Sequence, residues 1–96
     1  MDRNKAVEIL KQHREKFKQF GVKTLAIFGS VARDEAHEES DIDILIDFED
    51  SLTFDRYMDV KFYIEDTLNI SVDLVTWKML KPQIKSQVEQ ELVYVA

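Results

Sequence analysis

Apolar residues recur along the chain with helical spacing in some stretches and strand spacing in others, and their order predicts an α/β fold. Between Asn4 and Phe20, the residues Ala6, Ile9, Leu10, Phe17 and Phe20 fall on one helical stripe, with His13 in line with it. Asp2 or Asn4 is placed to cap the start, Lys16 and Lys18 suit the last turn, and Gly21 fits the stop. His13 reads as a packed helix residue. Lys23 to Phe28 is short and almost wholly apolar, as expected of an internal strand. Gly29 and Ser30 end it, and residues 31–39 predict a short helical turn and a solvated loop.

Ser40 to Phe48 alternates. Ile42, Ile44, Ile46 and Phe48 make one unbroken apolar face, while Asp41, Asp43 and Asp47 point to the other side. Glu49-Asp50-Ser51 reads as a turn. Asp55 is placed to cap a helix running to about Leu68, with Tyr57, Val60, Ile64 and Leu68 as its buried stripe and Asn69 as its stop. Ser71 to Thr76 is β-branched and alternating, a third strand carrying Asp73 between Val72 and Leu74. Pro82 suits the first turn of a last helix, with Leu80, Ile84, Val88 and Leu92 as its stripe. The tail from Leu92 to Val95 extends that helix or adds a short strand; periodicity does not decide. The order α-β-(turn)-β-α-β-α predicts a small mixed sheet packed against helices.

Ninety-six residues, read as one domain spanning 1–96, bury roughly 60 to 70% of the unfolded chain's surface. That leaves room for one core and one site, and little for a separate substrate domain. Thirteen basic against nineteen acidic residues give a net charge of −6, which disfavours direct nucleic-acid binding. The absence of cysteine excludes disulfides, thiolate metal sites and cysteine nucleophiles. No apolar run reaches the roughly 18 residues that span a bilayer, and the first residues do not resemble a signal peptide, so the expected location is the cytosol.

The chemistry concentrates where Ile27-Phe28-Gly29-Ser30 is followed, ten residues on, by Asp41-Ile42-Asp43. If Asp73 lies beside these two acids on a neighbouring strand, each like-charge pair about 5 Å apart costs roughly 3 kcal/mol at an effective dielectric near 20. A fold gathers three such groups only with a compensating cation. An all-oxygen carboxylate set suits Mg²⁺, and two such ions can stabilise both the attacking and leaving oxygens of an in-line displacement. The Gly29-Ser30 turn supplies backbone and hydroxyl donors for a phosphate, favoured further if a helical turn starts at Ser30 or Val31. Arg33 is placed to reach a phosphate oxygen. Taken singly, these features are ordinary: Asp-x-Asp is commonly a solvated edge, Gly-Ser a turn, Arg33 a surface residue. His37 has no second histidine near it and is not read as a ligand. Asp47 reads as solvent-exposed. Four fixed residue types at this spacing recur by chance on the order of once in a thousand chains of this size.

Gly29-Ser30-x10-Asp41-x-Asp43, with Asp73 on a later strand, resembles the nucleotidyltransferase superfamily that includes DNA polymerase beta and the kanamycin nucleotidyltransferases. The runs Gly-Ser-Val-Ala-Arg, Ser-Asp-Ile-Asp-Ile-Leu-Ile and Asp-Leu-Val, with Lys81-Pro82 and the length, are similar to the minimal nucleotidyltransferase (MNT) antitoxins of prokaryotic HEPN/MNT toxin–antitoxin pairs. The resemblance implies a polymerase beta-like fold with ATP as substrate and Mg²⁺, in two ions, as cofactor. It implies that Ser30 with Gly29 holds the distal phosphates and that Asp41 and Asp43 hold the metals. Asp73 would join one metal and help to activate the acceptor hydroxyl. The implied partner is a HEPN ribonuclease toxin, silenced by transfer of AMP to a tyrosine. Family members commonly have glycine after the Ala-Arg pair, where this chain has Asp34; aspartate tolerates a left-handed backbone better than most residues. Two other readings stand beside this one: an antitoxin that masks its toxin without catalysis, and the catalytic subunit of a two-chain enzyme modifying a small molecule.

Overall fold

The structure, a computed structural model, describes residues 2–35 and 41–95. The Asp2 side chain accepts a hydrogen bond from the Lys5 amide at 2.8 Å and opens the first helix, satisfying a donor that has no partner within the helix. In place of one helix over 4–20 there are two, α1 (Arg3–Gln12) and α2 (Arg14–Gln19). The break is His13, at φ −104° and ψ 16°. Its Nδ1 lies 2.6 Å from the Tyr63 hydroxyl, and its ring meets the Tyr63 ring edge-on. The stripe could not register this kink, because Phe17 and Phe20 still reach the same tyrosine after it.

Gly21, at φ +82°, turns the chain into β1 (Val22–Phe28). The single-turn helix α3 (Gly29–Ala32) follows directly, starting one residue earlier than the spacing suggested. Strand β2 (Ile42–Phe48) begins at Ile42, so that Asp41 immediately precedes the strand. The helix α4 (Phe54–Leu68) is capped by Thr53, whose hydroxyl accepts from the Arg56 amide at 3.1 Å. Asp55, expected as the cap, lies in the first turn instead, where a carboxylate favours the helix dipole. Asn69, at φ +56°, ends α4 as expected. Then come β3 (Val72–Val75), a 3₁₀ turn at Trp77–Met79 that no periodicity announced, α5 (Pro82–Glu91) and β4 (Val93–Tyr94). The tail is therefore a short strand.

The sheet has the order β3-β2-β1-β4. β1 is antiparallel to both β2 and β4, whereas β2 and β3 are parallel with α4 as their crossover. One face, built from Leu25, Ile27, Ile42, Ile44, Ile46, Val72 and Leu74, packs on Leu10, Phe17, Val60 and Ile64 of the helices. Each such fully buried aliphatic side chain contributes roughly 1.5–3 kcal/mol. The other face carries a smaller cluster in which Phe28, with Leu45 and Val75 beside it, meets Leu80, Val88 and Leu92 around α5. Ile84, expected on that inward stripe, is 40% exposed, because α5 turns only one edge toward the sheet. No described helix is long and apolar enough to cross a membrane.

Candidate active site

The site lies on the α5 side of the sheet, where period-2 geometry sends the odd-numbered residues of β2. In the parallel ladder Asp43 is paired directly with Asp73, and in the antiparallel ladder with Phe28, the last residue before Gly29. Three separate chain segments thus converge on one carboxylate. Asp43 is half-buried and Asp73 exposed, as is Asp41 just before the strand. Burial pushes the Asp43 carboxyl up from its ordinary 3.8 to about 6, helped by the charge and hydrogen bonding of Asp73 and by the charge of Asp41, and opposed by Arg33. The three acids therefore share one electrostatic neighbourhood. Asp47, farther along the same face, is exposed and takes no part. A groove of about 510 Å³ lined by Leu45, Asp47, Leu52 and Trp77 lies toward that end of β2, starting roughly 7 Å along the strand from Asp43, and none of the three acids lines it.

Gly29 is constrained twice. Its φ of +74° is one that side-chain-bearing residues rarely adopt, and a β-carbon there would stand 2.1 Å from Asp43 Oδ2. The turn and the carboxylate can be this close only because position 29 carries no side chain. Ser30 is half-exposed in the first turn of α3. Asp34 does adopt the left-handed conformation, at φ +62°, so the turn survives without glycine. Its Oδ1 accepts a hydrogen bond of 3.4 Å from the Arg3 amide.

Two residues of this site carry no sequence signature. Tyr57 donates its hydroxyl proton to the Leu74 carbonyl, and burial together with the Asp73 charge raises its pKa. Glu91, the last residue of α5, accepts the Gly29 amide on Oε2 at 3.1 Å. Its Oε1 accepts from Arg33 at 2.7 Å and from Gln87 at 3.1 Å. Burial alone would raise the Glu91 carboxyl, but the hydrogen bonds from Gln87, Arg33 and Gly29 bring it below its usual value. The available hint was that Glu91 stands three residues after Val88 and so shares its inward edge. Arg33 also bonds Glu35 at 2.9 Å, and the hydrogen bonds to Glu35 and Glu91 raise its pKa.

His13 serves the kink, and His37 lies outside the described residues, as does Ser40. Asp41, Asp43 and Asp73 offer only oxygen donors, the set a magnesium ion takes, and the repulsion from Asp73 and Asp41 that adds to burial in raising Asp43 is relieved by such a cation. The donor chemistry fits. Among the described residues no three metal-ligating side chains are yet grouped tightly enough to cage an ion.

A four-stranded mixed sheet with paired acids at the mouth of a Gly-Ser turn is the architecture of a nucleotidyltransferase. The nucleotidyltransferase domain family matches residues 9–95, and the chain belongs to that family. It is 41% identical over 88 residues to protein adenylyltransferase MntA of Thermococcus cleftensis, covering 91% of this chain and 89% of that relative. A solved structure provisionally described as a minimal nucleotidyltransferase superposes with a TM-score of 0.82 at 32% identity, covering 97% of this chain and 95% of the other. A chain of the complex of tri-AMPylated Shewanella oneidensis HEPN toxin with MNT antitoxin superposes with a TM-score of 0.66, covering 94% and 71%. At 18% identity that last likeness is one of fold.

Proposed function

We propose that this nucleotidyltransferase is an antitoxin, a single minimal domain that transfers AMP from ATP to a tyrosine hydroxyl of a HEPN ribonuclease toxin and so neutralises it in the prokaryotic cytosol. The observation that carries the reading is the Asp43–Asp73 pair set against Gly29, with Asp43 raised to about 6. An acid cluster held under such repulsion has a use in binding cations beside a phosphate and little use in a purely structural sheet. The adenylyltransferase name of the Thermococcus relative and the toxin–antitoxin complex that shares the fold support the choice of protein acceptor.

In this reading Gly29, Ser30 and Arg33 bind the distal phosphates, and Asp41, Asp43 and Asp73 hold magnesium, in two ions. When bound, the metal neutralises phosphate charge and orients the α-phosphorus for in-line attack. Asp73, beside Asp43, takes the phenolic proton. The tyrosine oxygen–phosphorus bond forms as the α–β phosphoanhydride breaks, and diphosphate leaves. The partner brings its own tyrosine to the site at the edge strand β3.

The test is to incubate the protein with labelled ATP, Mg²⁺ and the HEPN protein of the neighbouring gene, and to weigh the partner. A gain of AMP units is expected, lost in Asp41→Ala and Asp43→Ala variants that keep their circular dichroism. An unmodified partner that is still bound and inhibited would establish masking instead. Transfer retained by both variants would show that the site is elsewhere.

A further inference from the structure

We propose that Glu91 is a resident stand-in for a nucleotide phosphate: its carboxylate fills the seat made by the Gly29 amide and the Arg33 guanidinium, and a nucleotide binds only by displacing it. The inference rests on the nucleotide reading of this site and adds a residue that sets its affinity.

Three donors converge on Glu91. Oε2 takes the Gly29 amide at 3.1 Å, and Oε1 takes Arg33 at 2.7 Å and the Gln87 side-chain amide at 3.1 Å. A backbone N–H beside a glycine in a turn, together with a guanidinium, is the donor pair that phosphate oxygens use. The carboxylate satisfies both at once with its two oxygens. It is 13% exposed, against 64% for Glu35, the other acid on Arg33. Glu91 is therefore set into the site, whereas Glu35 lies at its rim.

The donors that hold this carboxylate are the ones a phosphate would need. Glu91 sets a negative charge against the Gly29 amide, on a turn that already faces the Asp43 carboxylate, in a chain of net charge −6. A phosphate arriving at Gly29 meets an occupied donor, an Arg33 already paired, and a like charge in its path. Only molecules with Glu91 swung out bind directly, so the apparent affinity is reduced by the fraction in that state. Glu91 is the last residue of α5, and its bond to Gln87 one turn earlier lies within that helix, so it does not depend on Gly29 or Arg33 and can persist when the carboxylate leaves them. The seat is thus kept in binding geometry by an occupant that the nucleotide replaces group for group.

The test measures binding of magnesium AMP-PNP by calorimetry to the native chain, to Glu91→Gln and to Glu89→Gln. Glu89 is an exposed acid on the same helix outside the site, so its variant removes the same charge without vacating the seat. Glu91→Gln is expected to lower Kd roughly tenfold, equivalent to about 1.4 kcal/mol, with Glu89→Gln unchanged. A Kd for Glu91→Gln that is equal to or weaker than native overturns the inference and makes Glu91 a tether for Arg33. Equal gains in both variants overturn it in favour of general charge relief. In the native chain, the carboxyl ¹³C resonance of Glu91 should move on saturation with magnesium AMP-PNP. An unmoved resonance overturns the displacement even if the variant fails to fold. If the native chain binds no magnesium AMP-PNP, the nucleotide reading of the site falls, and this inference with it.

Discussion

Replacing Asp43 with asparagine should strengthen the fold while abolishing transfer. The carboxyl is raised from 3.8 to about 6, first by burial and then by Asp73 and Asp41. At about 1.36 kcal/mol for each tenfold change in proton affinity, that displacement amounts to about 3 kcal/mol. Solvent reaches this half-buried group, and screening reduces the figure to roughly 1–2 kcal/mol. The sign follows from the raised value. Folding favours the protonated form, so Asp43's contribution to stability is complete below 3.8 and is lost as pH rises through about 6. At pH 7.5 the ionised carboxylate therefore destabilises the ligand-free domain. Asparagine fills the same space, carries no charge and can donate to Asp73.

The expected outcome is that Asp43→Asn unfolds later than the native chain at pH 7.5. The shift should be about 4–8 °C for each kcal/mol in a domain of this size, and the two should converge at pH 4. Thermal midpoints followed by circular dichroism at both pH values read the difference, in which titrating groups remote from Asp43 cancel. Magnesium should raise the native midpoint at pH 7.5 and leave the variant's unchanged. Equal stability at pH 7.5, or a difference independent of pH, would show that the acids do not strain one another, and would remove the electrostatic case for a cation there.

Gly29→Ala should cost about 1–3 kcal/mol in urea unfolding because of the φ of +74°. It should damage transfer more than stability, since the nearest group in the way is the mobile end of Asp43, the side chain that the chemistry needs. Asp34→Ala should lose about 1 kcal/mol, having neither aspartate's tolerance of φ +62° nor its bond to the Arg3 amide; Asp34→Gly should stay within about 0.5 kcal/mol of native, as thermal melts will show. Ser30→Ala should weaken magnesium AMP-PNP binding in a calorimetric titration with a change in melting temperature of only a degree or two, because the side chain is half-exposed and outside the core. Ile44→Ala, in contrast, should cost about 2–5 kcal/mol, the side chain being completely buried at the centre of the sheet.

Local rules carried the reading of this chain a long way. The apolar face Ile42-Ile44-Ile46-Phe48 determined which side of β2 is buried, and hence that Asp43 faces the other way, because strand geometry alternates whatever the partner strand is. Gly21 and Asn69 marked helix ends, and both take the positive φ that such a stop requires. Two errors of the same kind came from helix starts and continuations. Thr53 and Asp55 are both acceptable caps on local chemistry, and only the path of the chain out of β2 chose Thr53. The stripe through His13 looked continuous because a kink that keeps Phe17 and Phe20 on one tyrosine leaves the periodicity unbroken.

What the tertiary structure alone decided is which distant residues meet. That Asp73 stands opposite Asp43 depends on the parallel register set by the α4 crossover, and no property of the Asp73 neighbourhood encodes it. Glu91 reaches the Gly29 amide across 62 residues because α5 lies over the end of β1. Periodicity reports which way a side chain points from its own backbone. It carries no information about what another segment places in front of it, and a site built where three segments converge is made of those encounters.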